Sequence, residues 1–450
     1  MDNTPNKPEE KPKKPDILIS DVLKDGTMIE MVHDLAEGTT GFAVRRPDGS
    51  IGYQAQAEVN GVVHEALKPS SGIIRYGYIS FPAKAEEYGS FTELLDDIQG
   101  FIHRYVDLSP EFERLCAIYT PFTWLYDRFE EAPYLRIIGE MGTGKSRLLK
   151  VMNALCYKAL TLNGAITPAA MFRLITQYQP TLLLDEADFR NKSEAHDDVM
   201  KILNSGYNKG TPVVRCHSKT NEPEFFEVFG PKIVGSQRLM GDPAFESRCL
   251  SHTMQKTRRK DVPLNCDSRF HDEARSIRNR LLMLRFQEYH SLVPAPPSTI
   301  NVHPRLLQIA GPLFPFVRNE TDRALLQSYL ERMNEDMRDS KMVSLPATIL
   351  LSIEDFLNAG REVTYGLLAK TYNDDHRDQK SFTVNNISVG NTVKRKLKIP
   401  VRRTSREQFI DDTAEVREAI RMAKEEYGLT EDEDDKLSTN NPPIQIDTPF

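Results

Sequence analysis

The residues with the clearest chemical signature lie in the segment YLRIIGEMGTGKSRLLK, residues 134–150. An apolar run predicts a buried strand over Tyr134–Ile138, and periodic apolar residues predict a helix from Lys145 onward. Between them, Gly139–Ser146 fits the pattern G-x-x-x-x-G-K-[ST], in the strand–loop–helix context that this pattern requires. Backbone N–H groups of such a loop, and the N-terminus of the helix that follows, attract negative charge. The sequence therefore predicts a site for a polyphosphate.

The residue types of this loop have separate tasks in holding a nucleotide. Its glycines permit positive φ angles and a close approach of the backbone to the ligand. Lys145 is expected to reach the β- and γ-phosphates of ATP, and Ser146 is expected to ligate Mg²⁺. The predicted nucleotide-binding residues are Gly139, Glu140, Met141, Gly142, Thr143, Gly144, Lys145, Ser146 and Arg147.

An acidic pair follows a second apolar run, about 40 residues further along the chain. Thr181–Leu184 predicts a buried strand, and Asp185 and Glu186 come directly after it. We expect Asp185 to hold Mg²⁺, directly or through water, and Glu186 to orient and deprotonate the attacking water. An acidic pair at a strand end is a weak signal by itself, but after a phosphate loop it indicates ATP hydrolysis.

Together, GEMGTGKS and LLLDEAD resemble the AAA+ and related ASCE P-loop ATPases, in which the catalytic Glu follows the Mg²⁺-binding Asp. Residues from about 120 to 260 also resemble the superfamily 3-like helicase domains of phage, plasmid and integrative-element primase–helicases. The segments that carry this likeness are TWLYDRF, TPAAMFRLI, LLLDEADF, KILNSGYNKGTPVVRC, VFGPKIVGS and FESRCL. The resemblance implies an α/β P-loop NTPase core of AAA+ type.

The resemblance also implies two further groups at the ATP site. In such ATPases a polar side chain at the end of the next core strand senses the γ-phosphate. Here that strand covers Pro231–Gly235, and the candidate is Ser236, with Gln237 as the alternative. The segment FESRC is similar to an element of clamp-loader subunits whose arginine reaches a neighbour's ATP. Arg248 is therefore the expected arginine finger, Arg238 is the second choice, and a homo-oligomeric, hexamer-like ring is expected. The alternative for Arg248 is an ordinary surface ion pair.

Before the sensor strand, two strand patterns flank the polar, turn-rich loop HSKTNEP, which predicts a hairpin. Its position is similar to that of the pre-sensor hairpin of superfamily 3 helicases, whose basic tip grips single-stranded DNA in the central pore. The resemblance makes Lys219 and His217 the expected DNA contacts, against the alternative of an ordinary surface turn. Tyr207 and Lys209 form a second candidate that would face the pore.

The composition, with 27% charged and 39% hydrophobic residues over 450 positions, is typical of a globular chain with two or three domains. No window is apolar over the length of a membrane span, and the N-terminus lacks an apolar signal core. We therefore expect a cytoplasmic location and no membrane partner. Five scattered cysteines fit reduced thiols rather than disulfides or a zinc site. The net charge of −7 is uneven, because residues 411–450 hold twelve acidic and four basic residues.

Changes of pattern along the chain predict seven regions. Residues 1–15 are rich in Pro, Lys and Glu and are expected to be disordered. Short alternating runs, the last at Ile73–Phe81, predict a β-rich domain over residues 16–90. Helical periodicity predicts a helical layer over residues 91–130 that packs on the ATPase. The ATPase core is expected over residues 131–260, followed by a helical lid region over 261–342. A winged-helix-like DNA-binding domain is expected over residues 343–410, and an acidic flexible tail over 411–450.

In the lid region, helical patterns cover residues 270–290 and Pro304–Gln327, with a proline-rich break between them. Arg275 and Arg305 are candidates for a lid arginine that contacts the nucleotide. Surface helices commonly carry arginines, so an ordinary surface role is the alternative for both.

The predicted winged-helix-like domain combines three helical patterns with a short β-ribbon and concentrated positive charge. Helices are expected over Leu345–Leu357, Thr364–Tyr372 and Val384–Leu397, and the ribbon over Lys398–Arg403 and Gln408–Ile410. The basic residues crowd the end of this domain, which favours phosphate binding over a solvated charged face. The expected DNA contacts here are Lys394, Arg395, Lys398, Arg402 and Arg403.

Beyond this domain, Thr413–Tyr427 has the pattern of a charged amphipathic helix, and Glu431–Asp435 is an acidic run. The last four residues, Asp447–Phe450, resemble the C-terminal tip of bacterial single-strand-binding proteins, which docks replication partners. The tail is thus a candidate site for a replication protein, although so short a match also arises by chance.

These features predict an ATP hydrolase that works as a DNA helicase or translocase in the replication of a phage or mobile element. The alternative is a DNA-binding AAA+ switch, such as an initiator, loader or partition factor, that remodels a partner without processive unwinding. The same ATP site serves both, and fold alone does not separate them. A small-molecule kinase fits less well, because the acidic pair and the expected finger suit hydrolysis by water.

Overall fold

The computed structural model describes residues 17–163, 166–185, 194–216, 222–237, 242–293, 300–342, 344–375, 383–404 and 407–429, without the side chains of residues 194–195 and 340–342. The described residues up to Glu331 form one compact unit, and those from Arg332 onward form a second. In these ranges no helix is both long enough and apolar enough to span a bilayer.

Two antiparallel sheets form the N-terminal part of the first unit. The strands are β1 Ser20–Val22, β2 Met28–Asp34, β3 Thr39–Arg45, β4 Ile51–Gln54, β5 Gln56–Val59 and β6 Val62–Glu65. The first four strands pair in chain order, and the last two form a separate ribbon. The strand predicted at Ile73–Phe81 is wrong, because Gly72–Arg75 turns as a short helix, α1. Gly77 then has a φ of 65°, a left-handed conformation that interrupts an extended chain.

Two helices connect these sheets to the rest of the unit, in agreement with the helical periodicity. Helix α2, Phe91–Tyr105, begins at a capping box formed by Ser90 and Glu93. Helix α3, Pro110–Leu125, begins with proline at its first position and is buried along almost its whole length. The indole N–H of Trp124 donates to a backbone carbonyl at 3.0 Å. This tryptophan therefore belongs to the packing between layers.

A parallel five-stranded sheet with interleaved helices forms the centre of the first unit. The elements are β7 Tyr134–Ile138, α4 Lys145–Leu155, β8 Leu160–Leu162, α5 Pro168–Tyr178, β9 Leu182–Leu184, α6 Glu194–Ser205, β10 Val213–Cys216, β11 Pro223–Phe226, β12 Lys232–Ser236, α7 Pro243–Glu246 and β13 Cys249–Thr253. The order in the sheet is β13-β7-β12-β9-β8, and every pair is parallel. This α/β arrangement fits the predicted P-loop NTPase core. Strands β10 and β11 form the predicted antiparallel hairpin outside this sheet.

Helices follow the central sheet through the end of the first unit. They are α8 Ser268–Glu288, α9 Pro304–Ala310 and α10 Glu320–Met342. The helical region predicted over Pro304–Gln327 consists of two helices, because Gly311–Phe316 forms a 3-10 turn between α9 and α10. Proline at position 312 lacks the N–H group that continues an α-helix, and this explains the break. The division between the two compact units falls within α10.

The second unit packs helices and a small antiparallel sheet around one apolar core. Its further elements are α11 Leu345–Asn358, β14 Val363–Thr364, α12 Tyr365–Asp375, α13 Asn386–Asn391, β15 Arg402–Arg403, β16 Gln408–Ile410 and α14 Ala414–Tyr427. A π-helical turn over Thr392–Lys396 extends α13. The strands pair in the order β14-β16-β15. The helical patterns and the ribbon are thus found close to their predicted bounds, whereas the pairing of β14 with β16 was not predicted.

The flexible tail predicted from residue 411 is wrong at its beginning, because α14 folds there. Thr413 caps this helix by accepting a hydrogen bond from the backbone N–H of Val416 at 3.2 Å. Three of its side chains are buried in the core of the second unit, namely Val416, Ile420 and Ala423. The amphipathic pattern is therefore confirmed. Residues 1–16 and 430–450, which include the segment expected to be disordered and the acidic tip, lie outside the described residues.

A buried ion network joins the N-terminal sheet to the helices of the first unit. Arg285 on α8 donates to Oε1 of Glu30 on β2 at 2.6 Å and to both carboxylate oxygens of Asp127, at 2.9 and 2.8 Å. The Tyr157 hydroxyl also donates to the Glu30 carboxylate, at 2.7 Å from Oε2. The side chains of Arg285 and Glu30 are 2% and 4% exposed. Because a buried charge is stable only beside its partners, loss of one partner is strongly destabilising.

We expect Glu30→Ala to lower the free energy of unfolding by about 3–5 kcal/mol, because it removes the buried carboxylate that accepts from Arg285 Nε and from the Tyr157 hydroxyl. Denaturation followed by tryptophan fluorescence measures this free energy. The single tryptophan, Trp124, lies beside the network, because its backbone carbonyl accepts a hydrogen bond from the Arg285 guanidinium at 2.6 Å. Glu58→Ala is the matched control, because Glu58 is exposed on β5. That control should change the free energy of unfolding by less than about 0.5 kcal/mol. Equal small effects of both substitutions would contradict the role of the network.

Candidate nucleotide-binding site

Three neighbouring strands bring predicted site residues to one edge of the central sheet. Strand β12 lies between β7 and β9 and pairs in parallel with both, with Ser236 opposite Ile138. The carboxyl ends of these strands therefore meet at the same edge, where open α/β sheets bind their ligands. The phosphate loop follows β7 there, Asp185 follows β9 and Gln237 follows β12. This edge is the candidate site.

The phosphate loop has the compact shape that its glycines predict. Gly142 and Gly144 have φ angles of 79° and 95°, which are left-handed values that other residues adopt only with strain. A Cβ atom on Gly139 would lie 2.7 Å from Oγ1 of Thr143 and 3.1 Å from the carbonyl oxygen of Met254. Any larger residue at position 139 would therefore push the loop open.

Lys145 begins α4, and its side chain reaches back across the loop. The ammonium group donates to the carbonyl oxygens of Gly139 and Glu140, at 2.5 and 2.7 Å. The Thr143 hydroxyl donates to the same Glu140 carbonyl at 2.9 Å. A phosphate is a stronger acceptor for an ammonium than a neutral carbonyl is. Lys145 is thus placed to exchange these carbonyls for the oxygens of a polyphosphate.

The loop borders a cavity of about 360 Å³, a volume within the usual range of ligand pockets. Its lining is made of Met141, Gly142, Gly144, Lys145, Ser146, Arg147, Asp185 and Gln237. Six of the nine predicted nucleotide-binding residues are in this lining. The other three, Gly139, Glu140 and Thr143, form the closed side of the loop through the hydrogen bonds just described.

Asp185 brings an unsatisfied oxygen atom to this cavity. Its Oδ1 is buried and has no hydrogen-bond partner among the residues that the structure describes. Burying a carboxylate oxygen without a partner is costly, and a cation at this position would remove that cost. The Ser146 hydroxyl belongs to a residue of the same lining. Since Mg²⁺ commonly takes one or two protein oxygens and completes its shell with phosphates and water, Ser146 and Asp185 fit this ion.

The two sensor candidates are placed differently. Ser236 is buried, and its hydroxyl accepts a hydrogen bond from Arg136 of β7 at 3.3 Å. Arg136 also forms an ion pair with Glu246 of α7. Gln237, the alternative, lines the cavity together with Lys145. The geometry therefore favours Gln237 over Ser236 as the group that reaches a bound nucleotide.

Arg248 lies at the opposite edge of the sheet from its own phosphate loop. It precedes β13, whose first residue, Cys249, pairs with Tyr134 at the start of β7. The full length of β7, roughly 15 Å, separates that position from the loop. The Arg248 guanidinium donates to Oδ1 of Asn204 at 3.3 Å and lies 5.7 Å from the ring centre of Tyr207. In its own protomer Arg248 is therefore remote from the cavity.

Other arginine and tyrosine candidates also lie away from the cavity. Arg305 donates to the carbonyl of Ser247 at 2.9 Å and lies 5.2 Å from the ring centre of Tyr207. Tyr207 is 1% exposed, and its hydroxyl donates to Glu131 at 3.1 Å. The prediction that Tyr207 faces a pore is therefore wrong. Burial also raises the pKa of this tyrosine, so its hydroxyl stays protonated.

Glu186, His217, Lys219 and Arg238 lie outside the described residues. Lys209 is exposed, and its ammonium donates to the carbonyl of Asp127 at 3.0 Å. Arg275 forms an ion pair with Asp272 one turn earlier on α8.

The segment after β13 borders the phosphate loop and was missed in the sequence. The backbone N–H of Met254 donates to the carbonyl of Ile138 at 2.7 Å. Further along, Arg147 donates to the carbonyl of Pro263 at 2.9 Å and to that of Leu264. This segment has no apolar periodicity to indicate an element. Its one available signal was the basic run KTRRK at residues 256–260.

The basic residues of the second unit that were predicted to contact DNA have different surroundings. Lys394, Arg395 and Arg403 line a common cavity. Arg402 instead forms a bidentate ion pair with Asp411, at 2.6 and 2.9 Å. Lys398 is exposed and lies outside the lining of that cavity.

No protein-family model matches the chain, and no curated protein does. Among solved structures, the chain is similar to the C-terminal region of NrS-1, at 10% identity over 85% of this chain and 95% of that chain, with a TM-score of 0.38. It is similar to the JCV helicase at 14% identity over 61% and 67%, with a TM-score of 0.24. It is also similar to the Aeropyrum pernix ORC1 protein in complex with DNA, at 15% identity over 73% and 96%, with a TM-score of 0.22. Through its phosphate loop and acidic pair, the chain itself resembles the helicase-like AAA+ P-loop ATPases.

We expect Asp185→Asn to weaken the effect of Mg²⁺ on nucleotide binding by at least about tenfold, since loss of even an outer partner of a metal ion costs about 10–100-fold. Binding in the presence of a chelator should stay unchanged, because the amide keeps the shape of the carboxylate. Titration of Mg²⁺ into the full chain with a fluorescent ATP analogue measures both. Asp355→Asn, at an exposed position of α11, is the control. A normal Mg²⁺ response in Asp185→Asn would refute the metal assignment.

Proposed function

We propose that this chain is a Mg²⁺-dependent ATP hydrolase that acts on DNA as a helicase or translocase in the replication of a phage or mobile element. The observation that carries the proposal is the cavity at three adjacent strand ends, where Lys145, Asp185 and Gln237 meet. A cation, a metal-binding carboxylate and a polar sensor around a phosphate loop are the groups that phosphoryl transfer to water requires.

In this proposal the residues of the chain have separate roles in hydrolysis. Ser146 and Asp185 hold Mg²⁺, which supplies charge neutralisation on the phosphates. The Lys145 ammonium exchanges its hydrogen bonds to the loop carbonyls for phosphate oxygens, and it stabilises the negative charge that develops on the transferred phosphoryl group. Glu186 takes a proton from the attacking water, and Gln237 contacts the γ-phosphate.

Arg248 is proposed to act on the ATP of a neighbouring subunit. Its position at the far edge of the sheet excludes its own cavity and leaves a neighbour's site as the one that it could complete. Among the described residues its hydrogen-bond partners are neutral, namely the amide of Asn204 and the carbonyl of Ala244. Its charge is therefore free to stabilise a phosphate, which supports a finger over an ordinary surface ion pair. A site shared in this way fits an assembly of several subunits as a ring or partial ring, which we propose to be hexamer-like.

DNA is proposed to contact two parts of the chain. The hairpin of β10 and β11 would carry Lys219 and His217 to single-stranded DNA in the pore of the ring. The second unit, with α11, α12, α13 and its three-stranded sheet, would act as a winged-helix-like domain. Its exposed cations support that role, because phosphate contacts dominate the affinity of proteins for DNA.

Single-stranded DNA should raise the rate of ATP turnover by the full chain. Lys145→Ala should lower turnover by about 10²–10³-fold with or without DNA, because it removes a cation that stabilises the transition state. Lys150→Ala, at an exposed position of the same helix, should leave turnover unchanged. Steady-state phosphate release measures all three. A rate of ATP turnover that does not change with DNA would contradict the helicase proposal and favour an initiator, loader or partition switch.

Mixing two inactive variants tests whether Arg248 of one subunit completes the ATP site of its neighbour. Arg248→Ala should lower kcat by about 10³–10⁵-fold, the usual contribution of an arginine finger. In a mixture with Lys145→Ala, each Lys145→Ala subunit offers an intact Arg248 to the intact phosphate loop of an Arg248→Ala neighbour. Part of the turnover should therefore return, measured as phosphate release.

The control for this experiment is a mixture of Arg248→Ala with the double variant that carries both Lys145→Ala and Arg248→Ala. No complete site can form in that mixture, so turnover should stay at the level of the inactive variants. Equal turnover in the two mixtures would refute a site shared between subunits.

A further inference from the structure

The second unit contains a cavity of about 480 Å³, larger than the cavity at the phosphate loop. The start of α12, one side of α13 and the strands β15 and β16 surround it. Its volume is within the range of about 300–1,000 Å³ that is typical of ligand pockets. The side chain of Ile387 lies at this cavity and is 75% exposed. The cavity is therefore large enough for one nucleotide.

Two polar groups in its wall have no hydrogen-bond partner in the part of the chain that the structure describes. Tyr365 is 6% exposed, and its hydroxyl has no hydrogen-bond partner among the described residues. Oε1 of Gln408 is buried and equally without a partner there. Such groups are uncommon in folded proteins, where water, an ion or a ligand usually completes their hydrogen bonds. A ligand that enters this cavity can supply a hydrogen-bond partner to the Tyr365 hydroxyl and to Oε1 of Gln408.

The position of the tyrosine ring is fixed by a close backbone contact. A Cβ atom on Gly390 would lie 2.8 Å from Cε2 of Tyr365, so only glycine leaves room for the ring there. The ring of Tyr365 is thus buried closely against the backbone of α13, and Tyr365 lines the cavity. A rigid group of this kind loses little conformational entropy on binding.

The charge of the lining is positive. Lys394, Arg395 and Arg403 contribute three cations, and Glu407 contributes the one carboxylate, so the lining carries a net charge of +2. Amide side chains with donors and acceptors complete the polar surface, and among them is Asn386. The matching ligand is therefore anionic at one end and has hydrogen-bonding groups at the other, as a nucleotide has.

The shape of the cavity distinguishes a single strand from a duplex. In a duplex the bases are stacked inside, and a protein reads their edges with a helix or strand that enters a groove. A concave cavity with a buried hydroxyl can reach a base only when that base has left the stack. Duplex phosphates could touch the cations but would not reach Tyr365.

We propose that this cavity binds one unstacked nucleotide of single-stranded DNA. Lys394 and Arg403 would hold its phosphate, and Tyr365 and Gln408 would contact its base. The proposal rests on the proposed function, because it specifies which form of DNA the second unit recognises.

Binding of a fluorescein-labelled 12-nucleotide DNA to the full chain, without ATP, tests this proposal by anisotropy. The single strand should bind about tenfold or more tightly than the same sequence in a duplex, since a paired base must first leave the stack. Tyr365→Phe removes only the hydroxyl. It should weaken single-strand binding about 2–10-fold and leave duplex binding unchanged. Tighter binding of the duplex, or no effect of Tyr365→Phe on the single strand, would overturn the proposal.

The cations are tested by a matched pair of substitutions. Each phosphate contact to a single strand adds about 0.7 to the slope of log affinity against log salt concentration. Lys394→Ala should reduce that slope by about 0.7. Lys396→Ala should leave the slope unchanged, because Lys396 is exposed two residues further along and outside the lining. An equal reduction by both would mean that the basic surface, and not the cavity, binds DNA.

A free nucleotide is the remaining ligand with the same chemistry. Competition by deoxyadenosine monophosphate should be tested in a Lys145→Ala background, so that the phosphate loop does not contribute. Displacement of the strand at micromolar concentrations would assign the cavity to free nucleotides and overturn the proposal, whereas none up to millimolar concentrations supports it. Because no step uses ATP, failure here leaves DNA-stimulated turnover unaffected. Loss of that stimulation with intact strand binding would count against the proposed function alone.

Discussion

Backbone hydrogen bonds hold β12 between β7 and β9, and this parallel pairing sets the distance between the groups of the candidate nucleotide site. Lys145, Asp185 and Gln237 are far apart in the sequence and meet because three strands end at one edge. The packing behind that edge depends on Gly235. A Cβ atom there would lie 3.2 Å from Cδ1 of Leu149, so a side chain at this position would require Leu149 of α4 to shift. A residue that takes no part in the chemistry thus allows the close packing of α4 on β12.

Several charged side chains are buried where elements of the first unit join, and each has its partners. Lys232 donates to the carbonyls of Val228 and Gly230, both at 2.9 Å, and burial lowers its pKa to about 7. Arg136 and Arg285 are buried beside carboxylates. Buried ion pairs seldom stabilise a fold more than well-packed apolar residues of the same size would. We therefore infer that these groups specify which elements join, rather than adding stability to the joint.

Sequence analysis predicted the parts of the fold whose signals are local. The strand, loop and helix around Lys145 and the hairpin of β10 and β11 follow from patterns within a few residues. Burial and pairing were not predicted where they depend on contacts between residues that are far apart in the sequence. Arg136 lies in a run that looked apolar, and its partner Glu246 is 110 positions away. Tyr207, in the polar segment NSGYNKG, is buried because Tyr134 and Arg305 pack against it. No local pattern carries such information.

Arg136 also contacts the segments of Gln237 and Arg248, which lie at opposite edges of the sheet and have separate roles in the proposed mechanism. Its guanidinium bonds the Ser236 hydroxyl, next to Gln237, and pairs with Glu246, two residues before Arg248. Ser236, beside the cavity-lining Gln237, is therefore joined through this buried arginine to Glu246. Glu246 belongs to the segment of Arg248, for which we propose a role at a neighbouring subunit. Energetic coupling between distant sites can be carried by packed side chains and ion pairs of this kind, and Arg136 supplies one such contact path between the two edges.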